Sequence, residues 1–188
     1  MSTRPCPTSD SYERLVAGLY GRTVVSVDYF VLMGGEEGTD PDEWDHGAWH
    51  EPTMGLELTL DDGDAYSAVW GSTFDHYGLE LYLAPMSDFL SHVDKPGGSA
   101  RVTVAEHSRW AGIVTAPIEY CRIQWGGQGH GARVPVPEAI HLRTATGQVW
   151  IAAGRSATYE PDGPFHLGTD DVLVIFDTDV ADQAGLRI

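Results

Sequence analysis

LELTLDDGDAYSAVWG, residues 56–71, places three leucines at alternate positions, turns through Asp61-Asp62-Gly63-Asp64 and returns along a second β-type run. In an extended chain alternate residues share a face, so Leu56, Leu58 and Leu60 point one way and Glu57 and Thr59 the other. Gly63 supplies the positive φ that a tight turn needs. The stretch reads as a half-buried hairpin. A variant of it, IHLRTATGQVWIAAGR, occupies residues 140–155, 84 positions further on. That offset pairs Leu58 with Leu142, Gly63 with Gly147, Tyr66 with Trp150 and Ser72 with Ser156.

The repetition extends outward. Residues 112–123 match residues 21–32 at an offset of 91, setting Val27 against Ile118, Asp28 against Glu119 and Tyr29 against Tyr120. The two offsets differ by seven, so the first copy carries seven extra residues in its connecting loop. After each hairpin comes another apolar strand, with Leu79, Leu81 and Leu83 alternating in the first copy and VLVIF (172–176) in the second. Residues 8–20 present Ser9, Asp10 and Ser11 as caps and Tyr12, Leu15, Val16 and Leu19 at helical spacing. Asp40-Pro41 with Glu43 has the form of a helix start that Gly47 ends after one turn. Met86, Phe89, Leu90 and Val93 are spaced as a second short helix, and DKPGGSA (94–100) reads as a linker. The expectation is one all-β domain over 1–188 with one or two short helices. It contains repeats at about 21–94 and 101–180, after a tail and helix in 1–20. Two such units bury their apolar faces as a pseudo-twofold duplicated β-sandwich or β-barrel, a choice the pattern leaves open.

Lysine and arginine number 11 against 28 acids, for a net charge of −17 and a pI near 4.5. This argues against nucleic acid or an anionic membrane as partner. The imbalance is local: between Arg22 and Lys95 there are 16 acids and no base. No apolar run approaches the roughly 20 residues of a membrane helix, and residues 1–10 lack a signal-peptide core, so a cytoplasmic location is expected. Cys6 and Cys121 are not expected to bridge, and Cys121 reads as a small core residue.

The acidic loop offers Asp42, Glu43, Trp44, Asp45, His46, Trp49, His50 and Glu51. With Asp61, Asp62 and Asp64 these form a candidate face for a basic protein partner, Trp44 and Trp49 acting as anchors. The same loop admits a metal reading, since His46, His50 and Glu51 with Asp45 are ligand types for a first-row ion. Gly47 interrupts the helix that would align His46 with His50. Asp61, Asp62 and Asp64 lack the remaining ligands of a calcium loop. Gly126-Gly127-Gln128-Gly129 precedes no helix start that would hold an anion. His76, His92, His107, His141 and His166 are scattered singly, and no nucleophile motif accompanies Asp75-His76-Tyr77.

VVSVDYF, LELTLDDG, AIHLRTATGQVWIAAG and DDVLVIFD together resemble a loose set of small bacterial duplicated-β proteins. These carry a G-x-x-V-x-x-V strand and an L-x-L-x-x-x-x-G hairpin twice and close on an aliphatic strand flanked by Asp. The resemblance spans about residues 21–177 and implies a toxin-immunity role, with no catalytic residue and no cofactor. The leading expectation is a non-enzymatic inhibitor-like protein docking a basic, nuclease-type partner. One alternative is a β-barrel enzyme or small-molecule binder with an apolar interior, such as a biosynthetic cyclase. The second alternative is a metal-binding protein using the His46/His50 loop.

Overall fold

A computed structural model describes residues 8–34, 40–72, 74, 77–126, 135–158, 160 and 162–186. Cys6, Asp75, His76, His130 and Gly127-Gln128-Gly129 lie outside them. Thr8 caps α1 (Ser9–Ala17) by accepting from the Ser11 N–H while the Ser11 hydroxyl receives the Thr8 N–H, which fixes the helix start. Tyr12 and Val16 turn inward, and Tyr12 donates its hydroxyl to the Leu79 carbonyl.

The β-branched run after Gly21 forms β1 (Val24–Gly34). The 56–71 hairpin follows as β4 (Gly55–Leu60) and β5 (Ala65–Gly71), and then β6 (Gly78–Leu83). Hydrogen bonding runs β1-β4-β5-β6, a four-strand antiparallel meander. The second copy repeats the order with β8 (Tyr120–Gly126), β9 (Val136–Arg143), β10 (Gln148–Ser156) and β11 (Phe165–Ile175). Leu56, Leu58, Leu60, Ile140, Leu142, Ile151 and Val174 meet in one core between the two sheets. The fold is a duplicated β-sandwich, mostly β with two short helices.

The copies differ by one residue in the hairpin turn. Leu58 pairs with Tyr66 in the first, but Leu142 pairs with Val149 in the second. The structural partner of Tyr66 is therefore Val149 rather than Trp150. A one-residue slip exchanges the faces of a strand, so Trp150 leaves the inter-sheet core and packs with Trp49, Leu173 and Ile175 on the outer side of the second sheet. That side is covered by α2 (Thr178–Gln183), whose start is capped by the Asp177 side chain and which the sequence pattern did not reveal.

Three further expectations are corrected. Asp40-Pro41 does not begin a helix; it is a two-residue strand, β2, paired with Met33 and Gly34. Residues Met86–Asp88 form a single 3-10 turn in place of a packed helix. The linker is partly strand, since β7 (Ser99–Thr103) pairs along β1 from Asp28 to Leu32. There Asp28, buried on the outer face, receives Arg101 and the Thr103 hydroxyl.

The acidic loop joins the two halves. Having left the first sheet at β2, the chain enters the second at β3 (Trp49–His50), which pairs with Val174 and Ile175 of β11. A cavity of about 300 Å³ lies elsewhere, between α1 and β8, bordered by Val16, Cys121, Arg122, Ile123 and Trp125. Cys121 there is a free, half-buried thiol.

Candidate metal centre

Residues 44–51 form a tight hairpin. The Glu51 N–H donates to the Trp44 carbonyl at 2.8 Å and the His46 N–H to the Trp49 carbonyl at 3.1 Å, around Gly47 at φ +80°. Asp45 and His50 are bridge partners across it. In extended chain neighbouring residues face opposite ways, and the hairpin separates the loop's ligand types accordingly. Asp45 and His50 face one side, where His107 meets them; His46 and Glu51 face the other.

On the first side Asp45 Oδ1 lies 3.4 Å from His50 Nε2, and Asp45 Oδ2 lies 3.4 Å from His107 Nε2. The three donor groups fall within 4.8 Å of one another. His107 precedes a 3-10 turn (Ser108–Trp110) and accepts the Arg109 N–H on Nδ1 at 3.3 Å. His50 is 0% exposed in its side chain, Asp45 38% and His107 28%, so the group opens to solvent on the Asp45 and His107 side only. Trp44, Tyr29, His107 and Phe176 enclose the His50 ring edge to face, at centroid distances from 4.8 to 5.6 Å.

Hydrogen bonding fixes the His50 proton. The Trp110 indole N–H donates to Tyr29 Oη at 2.8 Å, which leaves the Tyr29 hydroxyl proton for His50 Nδ1, also at 2.8 Å. Burial, outweighing the attraction of Asp45, lowers the His50 pKa to about 3, so the ring is neutral. Its remaining proton then sits on Nε2, an atom that makes no hydrogen bond among the described residues. The Asp45 carboxyl is held below its ordinary value. Burial acts to raise it, but the Gly47 N–H on Oδ1 and the two facing imidazoles lower it further.

On the second side His46 Nε2 and Glu51 Oε2 are 3.5 Å apart, both side chains sealed from solvent, and neither atom is hydrogen-bonded among the described residues. Glu51 Oε1 accepts the Ser156 N–H at 2.7 Å. Burial pushes the Glu51 pKa up to about 7. Burial also lowers that of His46, whose ring stacks on Trp49.

Of the other residues named from sequence, Asp42, Glu43 and Asp64 are exposed. Asp61 and Asp62 are both held by Arg22. Trp49 is sealed beneath the second sheet and so is closed to a partner, while Trp44 is half-buried against His50 and His107. Comparison with protein-family models, with characterised proteins and with solved structures finds no match.

The metal set read from sequence is thus divided. His50 remains, His46 and Glu51 belong to a separate pair, and His107 replaces them. Nothing in the spacing of His107 pointed to this role; it arrives because β7 runs beside β1 and delivers residues 104–110 to the hairpin. The Val104 N–H donating to the Val27 carbonyl marks the point of contact.

Proposed function

We propose that the protein binds a first-row divalent ion, such as Zn²⁺, through Asp45, His50 and His107. The reading is carried by a fully buried imidazole nitrogen, His50 Nε2, that lacks a hydrogen bond and lies 3.4 Å from a carboxylate shared with a second imidazole. A tetrahedral ion with bonds of about 2.0–2.1 Å keeps its ligand atoms roughly 3.3–3.4 Å apart. The two Asp45 separations, each 3.4 Å, are of that size but run to different carboxylate oxygens; with one atom from each residue the three ligands lie within 4.8 Å of one another and would draw inward around an ion. Two imidazoles and one carboxylate suit zinc or a neighbouring metal and leave coordination positions for an external ligand on the solvent side. His50 needs no deprotonation from a charged state, because it is already neutral.

Loading requires a rearrangement. For His50 to hold an ion on Nε2 its proton would have to sit on Nδ1, where it would donate to Tyr29 Oη in place of accepting from it. On His107 the same shift gives up the long contact with the Arg109 N–H. Re-aiming the buried Tyr29 proton costs about 1–3 kcal/mol if it meets no other acceptor, which weakens binding by about 5- to 150-fold.

Chelator-stripped protein titrated with Zn²⁺ or Co²⁺ in a calorimeter should take up one equivalent, and Asp45→Ala should abolish uptake. Stoichiometric binding that survives Asp45→Ala, or an absence of binding to the wild-type chain, would falsify the proposal.

A further inference from the structure

We infer that the metal held by Asp45, His50 and His107 takes a phosphate group as its external ligand, with the Arg109 guanidinium as the second point of contact. The inference rests on the metal reading above and adds the class of ligand.

Charge supports it first. A divalent ion with one carboxylate and two neutral imidazoles carries a net single positive charge, and Arg109 adds a second. A phosphate monoester, close to a dianion above its second pKa of about 6, balances that sum, as inorganic phosphate does at somewhat higher pH; a carboxylate balances only half.

Placement supports it next. Arg109 is exposed and follows His107 in the 3-10 turn, with its backbone N–H on that ring. Its positive charge is among those that lower the proton affinity of His50. Arg22, Arg101 and Arg155 are all engaged by aspartates, whereas Arg109 makes no ion pair among the described residues. Its planar fork of donors fits phosphate oxygens in pairs. Trp44, edge-on to both imidazoles, walls the opening.

The overall charge of −17 opposes an anion at long range. At physiological ionic strength the screening length is about 8 Å, so the nearby charges dominate. Those that act most on His50 belong to Asp45, His107, Arg109 and His46; Glu43, whose Oε1 accepts the Asp45 N–H at 3.4 Å, adds a further, exposed carboxylate nearby.

The test uses Co²⁺-loaded full-length protein, whose visible bands report the ligands on the ion. Inorganic phosphate should change the spectrum saturably, and acetate should need a higher concentration for the same change. In Arg109→Ala the Co²⁺ bands should still form, with half-saturation by phosphate raised about tenfold or more, as expected for a lost charge-assisted hydrogen bond. Arg109→Lys should recover part of the loss. A spectrum indifferent to phosphate, acetate binding as tightly as phosphate, or an Arg109→Ala protein that binds phosphate normally would each overturn the inference while leaving the metal site intact. Absence of Co²⁺ bands in the wild-type protein would remove the metal reading itself.

Discussion

The rings of His50 and His107 meet nearly perpendicular, at 81°, with centres 4.8 Å apart, yet one is sealed and the other stands at the surface. Equal proposed roles toward a metal thus come with unequal roles in folding. His50→Ala empties a space walled by Tyr29, Trp44 and Phe176 and should cost about 2–4 kcal/mol, as other large-to-small core changes do. His107→Ala should cost less than about 1 kcal/mol. Urea denaturation in chelator should show this difference, whereas the stabilisation by added Zn²⁺ should vanish in both variants. A Zn²⁺ shift retained by either one would remove that histidine from the ligand set.

Tyr29 connects the indole of Trp110 to the imidazole of His50 through a single oxygen. Tyr29→Phe leaves a donor and an acceptor unsatisfied in a dry core, which should destabilise the metal-free protein by about 1–3 kcal/mol. Thermal unfolding in chelator measures the cost. An unchanged midpoint would mean that these hydrogen bonds contribute nothing net.

The duplicated β architecture was legible because its evidence is local: alternating leucines, a Gly turn, and the same pattern again; the choice of sandwich over barrel was not, since it depends on how the two sheets pack. Its register was not, since one residue fewer in the second turn leaves the sequence pattern nearly intact while sending Trp150 to the opposite face. The site was half legible. His50 and Asp45 stood in the seven-residue excess of the first loop, but their partner depended on whether that loop coils or extends. Asp40, Pro41 and Glu43 satisfy the rules for a helix start, and pairing with Met33 and Gly34 prevailed over them. His107 was illegible because only long-range strand pairing brings it near.

Glu51 gives the pH dependence a sign. Its folded pKa of about 7 lies above the ordinary 4.5, so its contribution to stability is present in full below pH 4.5 and is lost as the pH rises through 7. Asp171, raised to about 6 chiefly by burial and then by Asp170, acts in the same direction. His50, depressed to about 3, acts in the opposite one, losing stability as the pH falls below the ordinary histidine range. The informative quantity is therefore the difference between wild type and Glu51→Gln, which keeps an acceptor for the Ser156 N–H. In chelator the variant should be the more stable at pH 8, by up to about 2–3 kcal/mol, and the advantage should disappear near pH 4.5. A difference that does not vary with pH would mean that Glu51 titrates normally.

Gly47 shapes the hairpin tip and also orients the ligand carboxylate, because its N–H donates to Asp45 Oδ1 at 2.9 Å while its φ is +80°. A Cβ added there would come within 2.8 Å of Asp162 Oδ1, the atom that receives the Ala48 N–H. Gly63 provides the comparison: its φ is +90°, but an added Cβ meets nothing within 4 Å. Both alanine variants bear the left-handed backbone strain of about 1–2 kcal/mol. Only Gly47→Ala also displaces Asp162, and its backbone strain falls on the N–H that holds Asp45 Oδ1. Gly63→Ala should therefore lower stability and leave Zn²⁺ affinity unchanged, whereas Gly47→Ala should lower both, the affinity by about tenfold or more, as for lost outer-shell support of a metal ligand. Calorimetric titration of the two proteins decides the point. Equal affinities would show that the carboxylate is not set by the hairpin tip, and the account of how the loop builds the site would fail there.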